Sequence, residues 1–223
     1  MKQFLKMVAR VLFFNPLFAA RTSFPVWFYV LNAEPRRRFK NNGKKITDAA
    51  RRVIADLQKD GIATTNLEEL FPGENALAAL KQYAAGLLPQ AKIRPGKPFL
   101  KALWEEDMVL DAQNPFMRLA LSEQALSVIN GYMGMLAKFF FSALDLTLRV
   151  PEGAPRMRSQ NWHRDDESDV FFKVLWFVSD ITETNGPFEY VRGTQRGQHT
   201  EWCPKHGYPN ALGKALLKPI PKD

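Results

Sequence analysis

An imidazole and a carboxylate stand two residues apart in Asn161-Trp162-His163-Arg164-Asp165. On an extended chain residues i and i+2 share a face, so His163 and Asp165 can grip one small cation together. An open-sided His/carboxylate site on β-structure is the arrangement that non-haem Fe(II) oxygenases use. Trp162 supplies an apolar wall beside the pair. Downstream, Phe171, Phe172, Val174, Trp176 and Val178 would give the site a dry floor, with Trp176 shaping the cofactor pocket. The plainer alternative is a strand end where His163 and Asp165 merely face solvent. Other chemistries lack partners. His163-Arg164-Asp165 imitates a kinase catalytic loop, but the Asn which that loop needs is Val170 here, and no Gly-rich phosphate loop precedes it. A zinc hydrolase would want more histidines close by than His163, His199 and His206, and a Gly-x-Ser-x-Gly nucleophile turn is absent.

The elements that must position this pair follow from the apolar period. From about Phe140 it changes from 3.6 to 2. Leu144, Leu146, Leu148 and Val150 alternate with Asp145, Thr147 and Arg149, which predicts a half-buried strand. Residues 157–165 read as the next extended stretch and carry the pair. Residues 170–179, rich in β-branched and aromatic side chains, read as a central strand. Asn185-Gly186 then turns the chain into a further strand over 188–191. Upstream the pattern is helical. Thr47 caps a helix with Ala50, Val53, Ile54 and Leu57 on one face, and Gly61 stops it. Ile62-Ala63-Thr64 reads as a short strand and Phe71-Pro72-Gly73 as a turn. A second helix spans about 75–88, with Leu77, Leu80, Ala84 and Leu87 on one side, and Pro95, Gly96 and Pro98 mark a loop. A third helix begins near Ser122, with Leu126, Ile129, Tyr132, Met133 and Leu136 facing inward. Helices first, then turn-punctuated strands, predict an α+β protein with an antiparallel sandwich or barrel.

With 223 residues, 46% hydrophobic and 24% charged, the chain suits one substantial domain with a real core. The net charge of +8 is unevenly spread: residues 1–60 hold 13 Lys/Arg against 4 Asp/Glu, and the rest hold 18 against 19. The basicity therefore belongs to an N-terminal arm, residues 1–45, ahead of a domain over 46–223. That distribution argues against a nucleic-acid partner for the domain. Residues 4–18 of the arm read as an amphipathic helix that docks on the domain or a partner. Arg36-Arg37-Arg38-Phe39-Lys40 and Lys44-Lys45 read first as a solvated basic linker, with weak contact to phosphates or an anionic membrane surface as the alternative. No window reaches the apolar length of a membrane span. The single cysteine, Cys203, excludes an internal disulfide and fits a reducing, cytoplasmic compartment.

Residues 160–194 resemble the phytanoyl-CoA dioxygenase-like oxygenases, which depend on Fe(II) and 2-oxoglutarate. The matching parts are Trp162-His163-Arg164-Asp165, residues 173–180 and residues 185–194. The resemblance implies a jelly-roll (double-stranded β-helix) sheet behind the N-terminal helices. It also implies that His163 and Asp165 bind Fe(II) together with a distal His, leaving room for 2-oxoglutarate and O2. An Arg near that distal His would pair the far carboxylate of 2-oxoglutarate. The implied reaction is hydroxylation of a small or lipid-like organic substrate. In the family several strands separate the pair from the distal His, and two more do not fit between Gly193 and His206. His206 lies in Pro204-Lys205-His206-Gly207-Tyr208-Pro209, which reads as loop, and His199 arrives even earlier. The expectation is a jelly roll incomplete at its C-terminal end. The alternative is a catalytically inactive fragment or a degenerate jelly-roll binding protein without the distal metal ligand.

Overall fold

The computed structural model describes residues 23–41, 46–104, 111–151, 153–163, 171–182 and 186–195. Within them, helices combine with a three-stranded antiparallel sheet, as the mixed pattern of the sequence predicts. A π-helical stretch, Val26–Leu31, leads into α1, Ala33–Asn41. Then follow α2, Asp48–Asp60, the single turn α3, Leu67–Leu70, and α4, Ala76–Leu87. Next come β1, Lys92–Arg94, and β2, Lys97–Trp104, then α5, Pro115–Ala120, α6, Glu123–Met133, and β3, Leu144–Thr147. No helix among the described residues is long and apolar enough to cross a membrane.

Local chemistry sets the helix ends. The Thr47 side chain accepts from the Ala50 amide, 3.2 Å away, and Ser122 does the same for Ala125 at the start of α6. Asn114, 1% exposed, accepts from the Phe116 and Met117 amides and starts α5. A buried amide is tolerable there because it satisfies amides that a helix start leaves unpaired. The α2 face Ala50, Val53, Ile54 and Leu57 is buried against Val128 of α6. The α6 stripe runs one residue off its expected register: Ala125 and Val128 are buried, while Leu126 and Ile129 are half-buried. Gly131 allows the close approach to α2, since a Cβ there would lie 2.7 Å from Ile54 Cδ1.

The larger core joins helices to sheet. Phe71, Leu80, Leu103, Phe116, Leu119 and Leu144 are buried together, and Ala125 ties α6 into the same cluster. β2 is the central strand, pairing with β1 in the register Ile93↔Lys101 and with β3 in the register Lys101↔Leu146. Pro95-Gly96 is the hairpin turn between β1 and β2 rather than a structureless loop, with Gly96 at φ 71°. Arg94 on β1 reaches across β2 to Asp145 on β3, 2.8 Å away, and both side chains are largely covered.

Several expected strands are replaced. Residues 62–64 form no strand, β3 stops at Thr147, and residues 157–163 contain a 3-10 turn, Arg158–Gln160. Residues 171–178 are not a central strand. They pair in no ladder among the described residues, and Phe177 is 51% exposed. High β-propensity records fit to a pleated, half-buried surface, and it makes a strand only where a neighbour supplies hydrogen bonds. Residues 188–191 likewise pair in no ladder among the described residues. The helix expected over 4–18 lies outside the described residues.

Residues 193–195 close the C-terminal end of α2. Gly61 takes the left-handed conformation, φ 77°, and its amide donates to Leu57 O. The Gly193 amide donates to Asp60 O at 2.8 Å, and Gln195 Nε2 lies 3.4 Å from the carbonyls of Gln58 and Lys59. A Cβ on Gly61 would meet Gln195 Oε1 and Tyr190 Oη at 2.5 Å each. Gly61→Ala is therefore expected to lose about 1–2 kcal/mol from backbone strain alone, and more from displacing this loop. Urea unfolding should record the loss, and an unchanged midpoint would refute the tie. In α1, hydrogen bonds from Arg37 and then Arg38 hold the Glu34 carboxyl down at about 2, against an ordinary 4.5. A depressed carboxyl pKa contributes stability that is fully present above pH 4.5 and is lost as pH falls toward 2. An NMR titration should find Glu34 ionised at pH 4, and Arg37→Ala should move its midpoint up toward the ordinary value.

Candidate metal-binding site

The chain reaches His163 through a tightly bonded turn. The Met157 amide donates to Gln160 Oε1 at 2.9 Å, and the Asn161 side-chain amide donates to Arg156 O at 3.3 Å. Arg158 sits between them at φ 49°, a left-handed conformation that a non-glycine residue rarely adopts. These bonds aim the backbone of Asn161 back at the motif. The Asn161 carbonyl lies 2.8 Å from His163 Nδ1. A carbonyl can only accept, so Nδ1 carries the proton, and in the neutral ring the lone pair is on Nε2. Metal-bound histidines are commonly oriented in this way, with one ring nitrogen donating to a carbonyl and the other presented to the ion. His163 and Trp162 are half-buried.

Asp165 lies outside the described residues, as do Asp166, Glu167, Asp169, His199, Cys203 and His206. Among the described residues no three His, Cys, Asp or Glu side chains gather around one point. His163 is thus the member of the expected pair whose geometry is on view.

The residues expected to floor the site divide between two cores. The Trp176 ring packs on Phe71 at 5.9 Å between centroids, and Val178 joins the same cluster. Phe172 packs edge-on against Tyr132 of α6, 5.6 Å away. Phe171 sits among Phe140 and Phe141, with the Lys173 ammonium 5.5 Å from its ring centre. Val174 and Leu175 are exposed, so Val174 is no part of a continuous floor.

Two contacts bring the later part of the motif near the earlier one. Arg156 and Glu189 form an exposed ion pair at 3.5 Å, a contact of the kind that contributes at most about 1 kcal/mol. A Cβ on Gly186 would lie 3.6 Å from Thr147 Cγ2, which seats the 186–191 segment at the end of β3. An open pocket of about 330 Å³ elsewhere is lined by Asp111, Ala112, Met117, Arg118 and Leu121, and includes none of the expected site residues. The short helix α5 that carries part of it gave little advance signal, because a six-residue helix shows barely two turns of periodicity.

No protein-family model matches this chain, and no curated protein or solved structure matches it either. The chemistry of the site therefore rests on its own residues. Nitrogen-edited NMR of His163 should find the neutral ring protonated on Nδ1. A ring protonated on Nε2 would break the contact with Asn161 and remove the orientation that suits a metal.

Proposed function

We propose that this protein is an Fe(II)- and 2-oxoglutarate-dependent dioxygenase that hydroxylates a small or lipid-like organic substrate, on an antiparallel jelly-roll frame. The observation that supports the reading is the His163 ring, whose Nδ1 lies 2.8 Å from the Asn161 carbonyl, a contact that metal-bound histidines commonly make. That orientation fits a metal ligand. Asp165, two residues on, would complete the pair. A carboxylate and an imidazole are donors that suit ferrous iron and leave positions open. When bound, iron with 2-oxoglutarate and O2 would supply the oxidation of a substrate C–H bond. The chain's own residues would hold the ion, fix the ring's tautomer through Asn161, and screen the site from water with Trp162 and Trp176. The jelly-roll frame is supported by the antiparallel β1–β2–β3 sheet and by the placement of Gly186 at the end of β3.

One observation favours a second reading, a jelly-roll binding protein or remnant without a complete metal site. The apolar 171–178 segment, which an intact jelly roll would bury on both faces, leaves Val174, Leu175 and Phe177 exposed.

Anaerobic titration with Fe(II) and 2-oxoglutarate separates the two. The oxygenase reading expects a metal-to-ligand charge-transfer band that is lost in His163→Ala and Asp165→Ala. Folded protein without the band would overturn it. Iron should raise the melting temperature of wild type but not of Asp165→Ala. The metal-free variant should melt no lower than wild type, because one carboxylate fewer stands beside Asp166 and Glu167. Equal stabilisation of both proteins by iron would place the ion elsewhere.

A further inference from the structure

We propose that residues 24–31, with the cationic helix α1 that follows, dock on an anionic lipid surface. This surface stands apart from the His163 site, and its test is independent of the oxygenase reading. The segment has an inner and an outer side. On the inner side the Phe28 ring tip lies 3.9 Å from where a Cβ on Gly134 would stand, and the Leu136 amide donates to Pro35 O at 3.3 Å. Both contacts hold the segment against the end of α6. The outer side carries Phe24, Tyr29, Val30 and Leu31, each 55–65% exposed. Phe28 links the two sides: Phe24 stacks on its ring with centroids 5.3 Å apart, and Tyr29 meets it edge-on at 5.0 Å, so the aromatic side chains form one continuous group.

Charge lies next to this apolar face. The Arg36 guanidinium sits 4.2 Å from the Phe28 ring centre and 4.7 Å from that of Tyr29. Arg37, Arg38 and Lys40 follow on α1 with exposed side chains. Glu34 pairs with Arg37 and Arg38, and within residues 23–41 it is the single acid against four cations. No Asp or Glu precedes it anywhere in the sequence, whereas Lys2, Lys6, Arg10 and Arg21 do. Exposed aromatic and aliphatic side chains flanked by cations, with almost no acid, are what a headgroup layer of anionic lipid complements. Tyr and Trp favour that boundary because their rings are apolar with one polar atom. A protein partner would have to present a matching acidic surface, whereas an anionic headgroup layer carries that charge throughout.

Flotation of the full chain with vesicles tests the proposal. Wild type should float with phosphatidylcholine vesicles containing about 30% phosphatidylserine, and much less with pure phosphatidylcholine. The triple variant Tyr29→Ser, Val30→Ser, Leu31→Ser alters exposed positions only and should melt like wild type. Its binding to the anionic vesicles should fall by about tenfold. Arg36→Gln with Lys40→Gln should weaken binding further at low salt than at high salt. Failure of wild type to float with anionic vesicles would overturn the proposal, as would a triple variant that binds undiminished. Light scattering that finds wild type dimeric and the triple variant monomeric, with no flotation, would assign the face to a second copy instead.

Discussion

Helices, sheet and the apolar strap over 171–178 meet at one side chain. Phe71 is 1% exposed and follows the single turn α3, where Asn66 accepts from the Glu69 amide and ends the chain's run away from α2. Its ring lies in the cluster that contains Leu80 of α4, Leu103 of β2 and Leu144 of β3, and the ring of Trp176 rests on it. Burying a phenyl ring of this kind contributes roughly 1.5–3 kcal/mol. Its positional effect is larger. Phe71 joins the helices packed on the sheet to the point where residue 176 crosses them.

That crossing gives the strap its form. Phe172 belongs with α2 and α6, while Trp176 and Val178 belong with the sheet-side core. A segment anchored at both ends in separate clusters spans the space between them, and its intervening side chains, Val174 and Leu175, turn outward. His163 follows the 156–161 turn, and Arg156 of that turn meets Glu189. His163 itself stands outside helix and strand, on the kind of segment where binding chemistry is usually found.

Much of the helical frame was legible in the sequence because its signals are local. Thr47, Gly61, Ser122 and the Ala50–Leu57 face act through bonds within a turn or two, and a single sequence displays them. The hairpin at Pro95-Gly96 was not legible, because Pro98 argues for a loop, yet near a strand's start its missing donor is tolerated. The one-residue shift of the α6 stripe has a similar origin. Leu126 and Ile129 are the larger apolar residues, but the tight crossing with α2 at Gly131 selects the small side of the helix. The 170–179 reading failed because strand identity is a property of pairs. Of the site, the sequence singled out His163 on spacing alone, whereas the Asn161 carbonyl that orients its ring has no sequence signature, since any residue carries one.

The tie between Gly193, Gln195 and the end of α2 has a consequence for the order of events in folding. Gln195 reaches back 136 and 137 residues to Lys59 and Gln58. During synthesis α2 leaves the ribosome long before these partners exist, and its last carbonyls face water until the 193–195 loop has been made. Closure of so long a span costs chain entropy that local contacts cannot offset in advance, so it comes late and slowly. Until then the apolar strap over 171–178 has one fewer constraint on its far side. In the interval between the synthesis of α2 and its closure, apolar surface that the finished fold covers is open to self-association.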